Sequence, residues 1–394
     1  MLAKLGRYTV AMVQVSERHQ QNVLRSGLLV TGGALILGMM CASIVTLRIV
    51  HPLRHLTSQV QQFQQGQSLE PFTVRSNDEV GQLNGTFNHM LAELAHKEKL
   101  KELFGKYVDP RVVAQHEEQG KALQTTGEKQ IVTVIMSDID GFQPIAESLS
   151  PEKQVDVINL YLELLSPSVS EQQGFLEFVD TVMKGFWAPP FVSKTDHAYL
   201  ACEAALDQLS KLQELRHLLR QATGTTSELS AVNLHIGIAT GPLLLANMGP
   251  EWATMYTVLG DTVNTAARLQ GVARQMGIPI LLLEETQQQV REMMVCREIG
   301  LVQVVGKDDK LRVFELLGHQ GQLNVEQLAW AETFKQGLDA YHQQAWDQAN
   351  EYFATCLQRQ PEDHPTQRYL HSIQELRDQR LPSDWDGVWQ LTQK

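Results

Sequence analysis

The stretch TMYTVLGDTVNTAARLQG, residues 254–271, decides how this chain is read. TMYTVL is short and rich in β-branched and aromatic residues, the composition of a strand. Gly260 breaks it, Asp261 or Thr262 can cap, and the alanine-rich segment that follows favours a helix. On that helix Asn264 and Arg268 stand four residues apart and share a face. A carboxamide and a planar guanidinium aimed at one point suit negative charge developing on a phosphorus-bound oxygen. The same spacing also describes an ordinary solvated helix face.

Upstream, IVTVIM (131–136) reads as a buried strand that delivers Asp138 at its carboxyl end, just before a turn at Gly141. Open sheets place their chemistry at such strand ends. GFLEFV (174–179) and TVMKGFW (181–187) read as a tight hairpin with Asp180 at or near its turn. Two carboxylates on neighbouring strands could hold paired divalent ions that bridge a triphosphate and polarise an attacking hydroxyl. Ordinary turn aspartates are the competing explanation.

SDIDGF (137–142), YTVLGDTVNTAARL (256–269), MGIPILL (276–282) and VVGKDDKLRVFELLG (304–318), in this order, resemble the class III adenylate/guanylate cyclase domain. The resemblance implies an α/β (α+β), ferredoxin-like catalytic domain over residues 126–318. It places Asp138, Asp180 and Ile139 around two Mg2+ or Mn2+ ions, and makes Asn264 and Arg268 the transition-state pair. Lys307, Thr257 and His235 fall at nucleotide-binding positions. In the family the site forms between two catalytic domains, which implies a homodimer acting on ATP, with GTP as the alternative.

The chain also departs from the family. DKFIGD, with its adenine-contacting lysine, is replaced by the shorter EFVD (177–180). The family's RVGIHTG becomes HIGIATG (235–241), so His235 stands where an arginine helps bind phosphate. A neutral imidazole is the weaker phosphate partner. By the same resemblance Thr257, at the family's second base-selecting position, implies adenine. Two functional classes follow: an adenylate cyclase making cyclic AMP and pyrophosphate, or a catalytically weak or silent cyclase-like dimer that binds nucleotide or partners.

Length 394 implies two or three folded units. A net charge of −12, without a basic stripe, argues against nucleic-acid binding. Cys41, Cys202, Cys296 and Cys356 show neither metal nor disulfide spacing and read as reduced thiols in a cytosolic setting. Between Arg25 and Arg48 lies an uncharged run, SGLLVTGGALILGMMCASIVTL (26–47), long enough to span a membrane once. A cleaved signal peptide fits less well, because residues 1–25 make an overlong leader and a small-residue cleavage site is missing. Flanking basic residues do not decide orientation. A nucleotide substrate would place everything after residue 48 in the cytoplasm, at a bacterial inner membrane.

Past the membrane, Val50, Leu53, Leu56, Val60 and Phe63, then Val80, Leu83, Phe87, Met90 and Leu94, repeat with heptad-like steps. With Pro52, Gly66 and DEVGQL they resemble the HAMP signal-relay domain over 48–100; a plain dimerising stalk shares the geometry. Lysines at 97 and 101 break the seam, so 101–125 reads as a coupling linker in which coiled-coil winding changes. Trp330, Gly337, Tyr341, Ala349, Phe353 and Pro361 fall where a tetratricopeptide-type hairpin wants them, giving a small helical repeat region at 325–380, separate from the cyclase domain. One repeat cannot bury a long core, so it is expected to pack on a third helix (366–378) or on the cyclase domain, and it could recruit a protein partner. The tail, 381–394, holds two tryptophans that should dock, within the chain or on a partner.

Overall fold

The computed structural model describes residues 27–64, 79–105, 111, 127–147, 149–179, 181–224, 229–248, 255–303, 310–379, 381–382 and 385–390. It divides into two units, Met1–Tyr107 and Val108–Lys394.

In the first unit, α1 runs over residues 27–64. Its portion Gly27–Arg54 is long and apolar enough to cross a membrane. The hydroxyls of Thr31, Ser43 and Thr46 donate to carbonyls four residues back, at 2.7, 2.8 and 2.7 Å, so these polar residues cost little in an apolar helix. A π-turn at Thr46–Val50 leads into His51–Gln64. The second helix, α2, is Glu79–Gly105, unbroken past Lys97. Seam residues Val50, Leu53, Leu83 and Met90 are exposed in the single chain. An apolar seam of this kind is buried by further helices of a coiled coil. Much of the expected coupling linker, 106–110 and 112–125, lies outside the described residues.

The second unit is built on one mixed sheet. Its strands are β1 (Glu128–Asp140), β2 (Phe175–Val179), β3 (Val182–Trp187), β4 (Asn233–Met248), β5 (Met255–Leu259), β6 (Ile280–Leu283), β7 (Met294–Gln303), β8 (Lys310–His319) and β9 (Trp389–Gln390). They lie in the order β2-β3-β1-β4-β6-β8-β7-β9, with β5 paired to β4. β1 is buried from Val132 to Ser137 because both faces are covered, which explains its continuous apolar run. Ile135 and Ile139 face a core with α4 (Pro151–Glu171), α5 (His197–Ser210) and α6 (Leu212–Thr223); a short α3, Gln143–Glu147, precedes α4. Val132, Val134 and Met136 face the other way, towards α7 (Asp261–Met276). β6 leads into α8, Glu284–Val290.

Gly237 sets how closely α7 approaches β4. A Cβ there would lie 2.3 Å from both the Ala266 carbonyl oxygen and the Gln270 nitrogen, so only glycine lets the helix rest on the strand.

Residues 325–376 form α9 (Val325–His342), α10 (Trp346–Arg359) and α11 (His364–Leu376). Asn324 and Gln327 close a capping box at the start of α9. Gly337 makes room for the Phe353 ring, as the helical-hairpin spacing anticipates. The sequence sets this region apart from the catalytic domain, but the structure does not. Phe334, Phe353, Tyr369 and Ile373 share one continuous core with Ile299, Val302 and Val313 of β7 and β8. The Tyr369 hydroxyl donates to the Ile299 carbonyl at 2.7 Å. Arg297, almost fully buried, pairs with Glu315 at 2.5 Å and Asp363 at 2.9 Å, and lies over the Trp330 and Phe334 rings. The separation fails because β7 presents an apolar face that one helical hairpin alone could not complement. Both tail tryptophans dock within the chain: Trp385 on Tyr341 and Trp346, and Trp389 on Tyr369, where β9 extends the sheet beside β7.

Candidate active site

Asp138 stands near the carboxyl end of β1, on the face that carries α7, and is partly exposed. Its carboxylate accepts a hydrogen bond from the Ile139 N–H at 2.9 Å. Burial pushes its carboxyl group above the usual range; that bond and the charge of Arg274 pull the other way, while Asp140 adds to the rise. Asp140, two residues on, shares the face. The SDID spacing makes this second carboxylate legible from sequence, although the sequence reading did not use it. Ile139 turns its side chain into the opposite core, so its backbone carbonyl is the oxygen it can offer a metal.

His235 lies directly across from Asp138 in the β1–β4 ladder. Its ring is buried, its Nδ1 donates to the Ile278 carbonyl at 2.9 Å, and burial holds its pKa down, which favours the neutral ring. An imidazole turned into the fold braces β4 against the segment before β6.

On α7 the buried stripe is Thr262, Thr265, Ala266, Leu269, Gln270 and Ala273, so Asn264 is exposed and Arg268 half-exposed on the outer face. Neither Asp261 nor Thr262 caps the helix. The N-cap is Gly260 at φ 140°, a conformation that favours glycine, and Asp261 instead places its charge in the first turn.

The helix runs antiparallel to β4. Thr262 bonds the Pro242 carbonyl, Ala266 and Gln270 sit on Gly237, and Arg274 reaches the neighbourhood of Asp138 and His235. At 1.5 Å rise per residue, Asn264 is about 15 Å and Arg268 about 9 Å back along the axis from Arg274. One chain thus places Asp138 beside the carboxyl-terminal part of α7, with Asn264 in its first turn and Arg268 at its middle.

Thr257 on β5 is buried, and its hydroxyl accepts from Lys184 Nζ at 3.2 Å. Lys184 is also paired with Glu177 at 2.5 Å. These two residues face each other across the β2–β3 hairpin. Opposite charges at facing hairpin positions are a readable signal that the sequence reading missed. Asp180 and Lys307 lie outside the described residues. Among the described residues, Asp138 is not joined by two further His, Cys, Asp or Glu side chains into a metal-holding group.

Residues 125–318 match the model of the adenylate and guanylate cyclase catalytic domain, and residues 44–96 match that of the HAMP domain. The chain carries a class III cyclase domain. Adenylate cyclase 1 of Rhizobium meliloti is 28% identical over 297 residues, which cover 75% of this chain and 43% of that protein. The adenylate cyclase of Anabaena cylindrica is 25% identical over 309 residues, covering 75% of this chain and 60% of that one. Among solved structures, the adenylyl cyclase CyaB from P. aeruginosa superposes with a TM-score of 0.45 at 25% identity, over 50% of this chain and 99% of that chain. The chain thus spans about half the length of these two curated relatives. The cyclase match stops at Gly318, so α9–α11 and β9 lie outside the matched range, although they share the domain's core.

Proposed function

We propose that this protein is a homodimeric adenylate cyclase of the bacterial inner membrane, anchored by a single span, with its catalytic unit in the cytoplasm and its HAMP helices relaying a signal. The observation that carries the dimeric reading is the separation along α7. Within one chain Arg268 starts about 9 Å and Asn264 about 15 Å along the helix from the residue nearest Asp138, whereas a second copy related by two-fold symmetry can bring one chain's Asp138 to the other's Arg268. Exposed apolar residues on the β4–β5 arm, Leu244, Met248, Met255 and Leu259, and at the hairpin tip, Phe178 and Val179, give such a copy something to cover.

The donor set suits a hard divalent cation: the Asp138 carboxylate and the Ile139 carbonyl, with Asp180 as the second carboxylate. When bound there, Mg2+ or Mn2+ supplies charge neutralisation for the triphosphate and acidifies the ribose 3'-hydroxyl. The chain's own groups do the rest. Asn264 orients the ribose, and the Arg268 guanidinium meets the negative charge that grows on the α-phosphate oxygens. The 3'-oxygen forms its bond to the α-phosphorus as the bond to the β-phosphate oxygen breaks, releasing pyrophosphate and a proton. Lys307 would hold the departing phosphates.

The test is cyclic nucleotide formation by the full chain with ATP or GTP and Mn2+, beside Asp138→Ala. Product from ATP that vanishes in the variant supports the reading. A wild type no better than the variant favours the silent, nucleotide-binding dimer, to which the inward-turned His235 already lends weight.

A further inference from the structure

The C-terminal tail attaches to the β7–β8 hairpin at its last rung. The ladder between these strands ends at Gln303↔Lys310, and Lys307 belongs to the short connection that follows. From the β7 side, β9 runs parallel and pairs Trp389 with Val302 and Gln390 with Gln303. From the β8 side, one oxygen of the Asp386 carboxylate takes the Lys310 ammonium. The other oxygen accepts from the Val388 N–H at 3.3 Å, across Gly387 at φ 70°. The group that holds Lys310 therefore also sets the turn that starts β9.

A strand this short does not stay in place by its ladder alone. Trp389 supplies the anchor. Its side chain is 6% exposed, its ring centroid lies 4.5 Å from that of Tyr369, and the Arg368 guanidinium lies 5.1 Å over it. Burying a tryptophan removes roughly 150–250 Å² from water, so this contact outweighs two rungs of pairing. Trp385 adds a second attachment on Tyr341 and Trp346, so the tail ties all three C-terminal helices to the end of the hairpin. Shielding the free edge of β7 is the simpler role for a strand here. Cover for an edge would lie along its length, yet among the described residues β9 pairs only with Val302 and Gln303, the last two of the ten in β7.

We propose that Asp386 and Trp389 are positioning residues for phosphate binding, which hold the end of the β7–β8 hairpin that carries Lys307. The proposal rests on the role given to Lys307 above. A lysine is a point charge on a flexible four-carbon stem, so what it contributes depends on how firmly the backbone beneath it is held. The phosphate end of the site then depends on a segment beyond Gly318, where the cyclase match stops.

The test measures binding of pyrophosphate with Mn2+, and separately of cyclic AMP, to the full-length chain by calorimetry. Pyrophosphate presents the departing phosphates alone, and cyclic AMP lacks them. Lys307→Ala should weaken pyrophosphate binding about tenfold, the loss of one charged hydrogen bond. Trp389→Ala should come close to that loss, and Asp386→Ala, which removes a partly exposed ion pair, should cost about threefold. Neither should add to Lys307→Ala in a double variant, because all act on one contact. Cyclic AMP affinity should stay near wild type throughout. Losses that multiply with Lys307→Ala, or an equal loss for cyclic AMP, overturn the proposal and make the tail merely structural. If Trp389→Ala does not fold, Asp386→Ala decides alone, and unchanged pyrophosphate binding in that variant overturns the proposal. Undiminished pyrophosphate binding by Lys307→Ala overturns the role of Lys307 together with this proposal, whereas a wild type that binds neither pyrophosphate nor ATP overturns the cyclase reading.

Discussion

Mixing two dead variants tests the shared site directly. A symmetric dimer has two sites, each using Asp138 from one protomer and Asn264–Arg268 from the other. In Asp138→Ala both sites lose a metal ligand. In Arg268→Ala both lose the guanidinium, a type of loss that typically costs about 10²–10³ in kcat. Co-expressed in equal amounts, half of all dimers are mixed, and in each of these one site carries both lesions while the other carries neither. One intact site in half of the dimers gives about a quarter of wild-type activity. The assay is cyclic AMP formation in membranes holding the full-length proteins, with Asp138→Ala paired against the Asp138→Ala/Arg268→Ala double variant as the control that must stay dead. A mixture no more active than its two components separately would refute the argument from α7: Asp138 and Arg268 would then have to meet within one chain, despite the 9 Å that the helix puts between Arg268 and the Asp138 end.

Gly237→Ala should lift α7 from β4, costing about 1–3 kcal/mol and lowering activity by displacing Asn264 and Arg268; a variant with unchanged melting and turnover would show that the helix can give way there. Arg297→Met leaves Glu315 and Asp363 buried without their cation and should destabilise the catalytic unit by about 3–5 kcal/mol in denaturant titration, whereas a cost below about 1 kcal/mol would mean that the C-terminal helices hold on by apolar contact alone. For Asp138 the sign is set by its raised pKa. Its protonated form is favoured by folding, a contribution fully present below the ordinary value of 3.8 and lost as pH rises through the folded value. Asp138→Asn should therefore melt higher than wild type at pH 7, with a difference that shrinks on acidification, and added Mn2+ should raise the wild-type melting temperature alone; the opposite order at pH 7 would contradict it.

The catalytic strands and α7 were legible because their signals are local. A β-branched run buried on both faces, a glycine at a strand–helix junction and an i, i+4 pair need no knowledge of the rest of the chain. The cap was misplaced because Gly260 adopts a conformation that makes a side-chain cap unnecessary, and sequence does not show φ. For His235 a motif position gives no direction for the ring, and here Ile278, 43 residues away in sequence, supplies the carbonyl that turns it inward. Lys184 lies on the strand after EFVD, away from the position at which the family's lysine stands. The register that brings Lys184 opposite Glu177 follows from the tight hairpin itself.

The C-terminal helices were the least legible element, since an amphipathic hairpin does not reveal what it covers. Their position constrains how the cyclase unit can work. His364, at the start of α11, fills the space beside Gly277 at the end of α7: a Cβ on Gly277 would sit 2.1 Å from His364 Nδ1. Arg297 locks the same region to β7 and β8 through Asp363 and Glu315. The end of α7 nearest Asp138 is thus braced from both the sheet and the C-terminal layer, while the end bearing Asn264 faces outwards. A signal that acted by sliding α7 along β4 would have to break this packing and lift the helix off Gly237. Reorienting whole catalytic units breaks none of it, and changes what matters: the distance between one copy's Asp138 and the other's Arg268.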